Sequence, residues 1–330
     1  MSNILLLGAG FSFNWGAPLA RDVRSFIALR LEGHHCLSDL LHRHDNFEDA
    51  LSQVQREFRT SQNAHEAAER LRIMQEAIVA VFNDMNTAMA GQPFDFHNEI
   101  QYLVGSYLSE FDAIFTLNQD LLLERHYLHP QTMILSRSNG KKQGAEMPGM
   151  QAFPSQQYHG EDQPLYTRYR QMPPPYRLAQ GLQPYFKLHG STNWFSPHDE
   201  MLIVMGGDKS STITQHPVLM WYAEIFEDYL SQRGARLTAI GYGFADHHIN
   251  QTLHRAWERS KFPMLIVNPE GRDILKKVNP SYGGAIYASG PLEEIRTIDS
   301  RLPLSATFGG RHPMEHKKLM DFLRPPSHES

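Results

Sequence analysis

Four large aliphatic residues, Ile4–Leu7, run without a polar break into Gly8-Ala9-Gly10. The run is too short for a helix and too apolar for a strand with one face in water. It predicts a fully buried parallel strand that ends in a glycine turn. Beyond the turn, Pro18 suits the first turn of a helix, and Leu19, Val23, Phe26, Ile27 and Leu31 recur at helical spacing. Residues 46–90 read as helical, with one stripe of Phe47, Leu51, Val54 and Phe58 and another of Leu71, Met74, Ile78 and Phe82. A further helix is expected at about 97–110. The segment Asp112–Asp120, "DAIFTLNQD", predicts a second buried strand ending in polar residues, and "LLLERHY" starts a helix after it.

From Leu128 to about Pro184 the periodicity fades into Pro, Gly, Gln and Tyr, which predicts an insertion of loops with a short hairpin. Order returns at Tyr185–Trp194, "YFKLHGSTNW", and Met201–Gly207 reads as a strand. A helix over Leu219–Arg233, a strand over Arg236–Phe244, a helix over 245–260 and a strand over Pro263–Pro269 follow. "RDILKKV" and "GAIYASG" read as a last helix and strand. The alternation predicts an α/β fold, with a doubly wound, mostly parallel Rossmann-like sheet. One domain over 1–330 is expected, with a helical insertion at about 34–110 and a loop-rich insertion at about 128–184.

Composition narrows the setting. The 330 residues are 41% hydrophobic and 20% charged, an ordinary globular balance. The formal charge of -5 argues against a general nucleic-acid surface. The single cysteine, Cys36, excludes an intrachain disulfide and a multi-cysteine zinc module. With no leader-like start and no apolar run long enough to span a bilayer, the expected compartment is the cytoplasm.

In a doubly wound sheet, ligands bind beyond the carboxyl ends of the strands. The predicted strands end in Gly8-Ala9-Gly10, in Thr116 to Asp120, in Gly241-Tyr242-Gly243 and in Asn268-Pro269. If the strands are parallel, these four sets share one crevice. Each set has two readings. The glycines make either a tight turn or a backbone approach to a pyrophosphate; Phe13 stands where the dinucleotide fingerprint wants its third glycine. Asn118 and Asp120 are either helix caps or an amide and a carboxylate that grip a polar ligand. His189 is either a satisfied core histidine or a base suited to proton transfer near neutrality. The pairs His34-His35, His42-x-His44 and His247-His248 lack the i, i+4 spacing of a helical zinc site, so solvated or capping histidines are expected there and no metal site.

Together these residues resemble the sirtuin (silent information regulator) family. "GAGFSFNWGAP" is similar to its glycine loop, "TLNQD" to its Thr-x-Asn-x-Asp strand end and "LHGS" to its catalytic His-Gly; "IGYGF" and "IVNP" fall where its later NAD-contacting loops lie. The likeness spans residues 4 to about 290. "KLHGSTNW" and "IGYGFADHHIN" more narrowly resemble sirtuin-like domains of bacterial antiviral defence systems, which cleave NAD. Three departures stand out. One cysteine cannot build the zinc ribbon of the protein-deacylating members, residues 128–184 separate the Asn strand from His189, and Pro-Asp-Phe-Arg becomes Pro18-Leu19-Ala20-Arg21.

The resemblance implies an NAD glycohydrolase that yields ADP-ribose and nicotinamide, with NAD as substrate. Asn118 would position the ribose and the attacking water, Asp120 the carboxamide, and His189 would act as base on the ribose hydroxyls. Gly8, Ala9, Gly10 and Ser12 would hold phosphates, Gly241 and Asn268 the adenosine side, with Arg21, Thr116 and Tyr242 completing the NAD contacts. Free NAD hydrolysis would harm the host, so gating by a homo-oligomer or by a separate sensor or activator protein is expected. The rivals are NAD-dependent deacylation, ADP-ribosyl transfer and a non-catalytic sensing module.

Overall fold

The computed structural model describes residues 2–91, 104–128, 144–153, 167–207, 209–273, 295–299, 301–308 and 310–325, with the backbone of 136–137 and 140–141. The strands in chain order are β1 (Ser2–Leu7), β2 (Ala113–Thr116), β3 (Ser136–Arg137), β4 (Gly140–Lys141), β5 (Gly144–Glu146), β6 (Met150–Phe153), β7 (Arg168–Gln171), β8 (Leu182–Lys187), β9 (Gly190–Phe195), β10 (Met201–Ile203), β11 (Ala235–Ile240), β12 (Met264–Val267) and β13 (Ile295–Ile298). The helices are α1 (Ala9–Phe13), α2 (Ala20–Arg30), α3 (His35–His42), α4 (Phe47–Thr60), α5 (Ala64–Gly91), α6 (Gly105–Leu108), α7 (Leu122–His126), α8 (Lys209–Gln215), α9 (Pro217–Ser231), α10 (His247–Ser260), α11 (Leu304–Phe308) and α12 (Pro313–Leu323).

Seven of these strands form one sheet in the order β13-β12-β11-β1-β2-β8-β5, and every neighbouring pair in it is parallel. The fold is therefore an α/β, Rossmann-like sheet. β1 sits at its centre, which is why Ile4, Leu5, Leu6 and Leu7 are all at most 1% exposed: both faces of the strand are covered. On one face α9 lays Tyr222 and Phe226 onto the stacked rings of Phe115 (β2) and Phe186 (β8), whose centroids are 4.6 Å apart. Elsewhere in the same core, Tyr107 stacks on Phe308 at 4.2 Å and also meets Phe111.

The helices α2 to α5 build a second core of Val23, Ile27, Leu31, Leu37, Leu41, Leu51, Val54, Met74, Ile78 and Phe82. Most of the expected stripe positions are in it, but Phe26 is 49% and Phe58 40% exposed, so each stripe is narrower than its spacing suggests. Met205, from the loop after β10, joins this helical core. The next two residues pack against side chains of α4: a Cβ on Gly206 would lie 2.4 Å from Gln55 Oε1, and one on Gly207 would lie 2.7 Å from Ser52 Oγ. The helical unit is thereby pressed against the loop that leads into α8.

A second sheet, β10-β9-β7-β6, mixes antiparallel and parallel pairs. The loop-rich middle segment thus also carries short strands. β5 extends the main sheet alongside β8, and β6 and β7 pair as antiparallel neighbours. Most of the helix expected from "RDILKKV", the strand expected from "GAIYASG" and the first half of the helix expected at 97–110 lie outside the described residues; the second half of the last carries α6. The strand seen at the sheet edge is Ile295–Ile298.

Candidate functional site

The chain leaves β1 for β2 and β8 on one side and returns through β11 and β12 on the other. That reversal opens a crevice at the carboxyl ends of β1 and β11, the place where sheets of this kind take ligands. Its floor is glycine. Gly8 N–H donates to Ile240 O and Gly10 N–H to Gly241 O, each at 3.0 Å. A Cβ on Gly8 would lie 2.5 Å from Gly241 O, and one on Gly10 would lie 2.8 Å from Gly241 Cα. Gly241 itself has φ 64°, and its Cβ would stand 2.2 Å from Phe11 N. Only three glycines let these two turns touch, and Ala9 and Gly10 remain partly open to solvent above the contact.

The end of β2 is tied to the same turn. Asn118 Nδ2 donates to Gly8 O at 3.1 Å and to Ser12 Oγ at 3.0 Å. Both amide hydrogens are spent on this anchorage, so Oδ1 is the end of the amide left to accept from a ligand or a water. The Thr116 hydroxyl is used internally, donating to Leu7 O at 3.4 Å and accepting from Asn118 N–H at 3.1 Å. Asp120 Oδ1 accepts from Leu122 N–H at 3.0 Å, an Asx turn that leads into α7.

Beneath this turn lies a buried ion pair. Lys187, fully buried at the end of β8, donates to Asp120 O and Glu124 Oε1, each at 2.7 Å, and to Ser191 Oγ at 3.1 Å. Burial drives the Glu124 pKa upward against the pull of the Lys187 ammonium. The pair clamps the β2 end to the β8 end.

His189 follows directly. Leu188 N–H donates to Thr116 O, and Val204 N–H donates to His189 O. Gly190 has φ 65°, and a Cβ there would collide with Leu202 O at 2.0 Å. The glycine therefore lets the chain turn from the parallel strand β8 into β9 under β10, leaving His189 at the strand end. His189 is 3% exposed, and burial together with the nearby Lys209 ammonium holds its pKa well below the ordinary value. The ring is neutral at neutral pH.

Its partner is His248, from the first turn of α10, with the two Nε2 atoms 3.0 Å apart. Behind His248, Asp246 Oδ1 lies 4.0 Å from Nδ1 and accepts from Lys209 Nζ at 2.6 Å. Lys209 also pairs with Glu48 of α4 at 2.8 Å. Burial pushes the His248 pKa down to about 4, Asp246 opposing. Burial alone would raise Asp246, but His189, Lys209 and His248 outweigh it and hold the carboxylate at about 2. The loop that carries Asp246 is braced in turn: Tyr242 OH donates to Asn250 Oδ1 at 2.9 Å, and Asn250 Nδ2 donates to Phe244 O at 2.8 Å.

Most of the residues singled out from sequence thus gather at the strand ends. Gly8, Ala9, Gly10, Ser12, Asn118 and Gly241 share the crevice between β1 and its neighbours. Asn268 closes the adjoining turn, donating to Tyr242 O at 3.3 Å and accepting from Glu270 N–H at 2.9 Å. Arg21 differs: its side chain is 76% exposed at the start of α2, 3.6 Å from Asp22. Sequence reading missed Glu48, Asp246 and Lys209, and set His248 aside among solvated or capping histidines. The correction is that a buried neighbour, His189, takes up the Nε2 edge of the ring. Asp246 lies just past a strand end and could have been read by the same rule as Asn118; Glu48 comes from the helical insertion, and no local pattern marks it.

A model of the SIR2-like domain family matches residues 112–283, just over half of the chain. The chain belongs to the SIR2-like family. The match begins at β2 and takes in Asn118, His189, Gly241 and His248; the glycine turn after β1 lies before it, and the fold brings that turn under Asn118. A search of curated proteins finds no match. Membership of the SIR2-like family points to NAD-related enzymatic activity. Only glycine fits at the crevice floor, because a Cβ on Gly8, Gly10 or Gly241 would meet the backbone of the facing turn.

His189, Asp246 and His248 offer ligand atoms within 4.8 Å of one another, a spacing that can hold a metal ion. Here Lys209 supplies the cation at Asp246, and the two rings bond to each other. Among the described residues no helix is long and apolar enough to cross a membrane.

Proposed function

We propose that the chain is an NAD glycohydrolase, converting NAD and water to ADP-ribose, nicotinamide and a proton. The observation that carries this is the anchorage of Asn118: its amide nitrogen is fixed on Gly8 O and Ser12 Oγ, which leaves Oδ1 to orient a hydroxyl or a water beside the glycine floor. Breaking the N-glycosidic bond builds positive charge on the ribose, and a buried site of fixed dipoles stabilises such charge better than water does. His189, neutral and buried, is in the state a base needs. The partly open backbone at Ala9 and Gly10 receives the pyrophosphate, the N–H groups of Gly8 and Gly10 being already bonded to Ile240 O and Gly241 O; Asp120 receives the carboxamide, and Asn268 the adenosine side.

The single cysteine, Cys36, favours hydrolysis over deacylation, because no cysteine ribbon can form within this chain. Gating by self-association or by a separate activator protein, in an antiviral defence role, completes the proposal; the -5 charge favours a protein activator over direct nucleic-acid binding. The test is chromatography of NAD incubated with the purified full chain. Equimolar nicotinamide and ADP-ribose support the reading. NAD consumption that requires an acylated peptide would overturn it.

A further inference from the structure

The histidine pair asks which ring donates. Two neutral imidazoles with their Nε2 atoms 3.0 Å apart can share one proton in two ways, and the choice decides which nitrogen of His189 keeps a lone pair. If His248 carries its proton on Nε2, its Nδ1 lone pair faces the Asp246 carboxylate at 4.0 Å, an unfavourable meeting. If it carries the proton on Nδ1, that N–H points its positive end at Asp246. Its Nε2 then accepts from His189 Nε2–H. The carboxylate is kept ionised by Lys209, 2.6 Å from Oδ1 and itself paired with Glu48. His247, beside it on α10, is the other charged or titratable neighbour acting on His248.

We propose that His248 is a positioning residue: held as the Nδ1–H tautomer by Asp246, it accepts the Nε2–H of His189 and leaves the Nδ1 lone pair of His189 to serve as the base. No hydrogen bond among the described residues occupies that Nδ1. The inference rests on the NAD-cleaving reading for its kinetic consequence only, since the tautomers exist whether or not NAD is cleaved. It also gives the helical unit a part in the site. α4 reaches the base through Glu48, Lys209, Asp246 and His248, each contacting the next.

The full chain labelled with ¹⁵N-histidine is the test, with signals assigned by single substitutions. A protonated ring nitrogen and a lone-pair nitrogen are well separated in ¹⁵N shift. His189 is expected to show a protonated Nε2 and a bare Nδ1, and His248 the reverse. Kinetics supply the second measurement. His248→Phe keeps the bulk but removes the acceptor and should lower kcat about 10²-fold, the scale of general base catalysis, with KM within about twofold. His248→Gln places a carbonyl oxygen near the lost Nε2 and should restore kcat to within about tenfold of the parent.

The opposite tautomers, an unchanged kcat in His248→Phe, or a raised KM at constant kcat would each overturn the proposal. So would zinc taken up at one equivalent with loss of the His189 Nε2–H signal and of the His248 Nε2 lone-pair signal, because the metal would then consume the lone pairs. Should the wild-type chain release no nicotinamide, the glycohydrolase reading fails alone, and the nitrogen shifts still decide the tautomers.

Discussion

Gly241→Ala is a small change with a large expected cost. The residue stands at φ 64°, where an L side chain is strained by about 1–2 kcal/mol. Its new Cβ would lie 2.2 Å from Phe11 N, 2.4 Å from Gly10 C and 2.6 Å from Gly10 Cα. These are backbone atoms, which no rotamer change can move aside. Relief requires the β1 turn to separate from the β11 turn, breaking the 3.0 Å bond from Gly10 N–H to Gly241 O; overpacking of this kind costs about 1–3 kcal/mol. Together the two effects amount to about 2–5 kcal/mol, read as a lower urea midpoint at unchanged slope. NAD affinity, followed by calorimetry, should fall as well, since the displaced turn is the crevice floor. Gly243→Ala is the control: nothing lies within 4 Å of its Cβ, so a change within about 0.5 kcal/mol is expected. If Gly241→Ala matches that control in both stability and NAD affinity, the close approach of the two turns is not what shapes the site.

Three further outcomes follow from the same geometry. Lys187→Met strands the Glu124 carboxylate in the core and should cost about 3–5 kcal/mol, largely restored in the Lys187→Met/Glu124→Gln double variant; a single variant within 1 kcal/mol of the parent, by urea midpoint, would refute the clamp. The pKa of His248 is about 4 when folded and 6.5 as the free side chain, so the unfolded chain binds the extra proton as pH falls. The group's contribution is therefore complete above pH 6.5 and is lost towards pH 4, about 3 kcal/mol across the window; His248→Gln should remove that part of the pH dependence in matched urea titrations, and equal slopes in both proteins would count against the assignment. His189→Ala should cut turnover by about 10²–10⁴-fold while calorimetry finds NAD affinity retained; affinity lost in step with turnover would make His189 a binding residue.

Buried central strands were the most legible part of the chain. Ile4–Leu7, Ile114–Phe115 and Leu265–Val267 are covered on both faces, so an unbroken apolar run identifies each without long-range information. Asn118, His189 and Gly241 were legible for a related reason: in a parallel sheet, position at a strand end is already position at the crevice. Residues that act through a second element were not. Glu48 reads as an ordinary first-turn acid of α4, where it also suits the helix dipole. Lys209 reads as a surface lysine until Glu48 and Asp246 close around it. β13 carries only four residues, with Arg296 exposed within it, and its pattern is too short to stand out from a loop.

On the proposed reading Asn118, pinned on the glycine turn, serves cleavage of NAD rather than the fold. Nicotinamide release by the purified chain and by Asn118→Ala, with thermal unfolding and NAD binding measured on the same samples, tests it most directly. Release is expected to fall by about 10²-fold or more while the variant stays folded and still binds NAD. Equal nicotinamide release from the two proteins would contradict it.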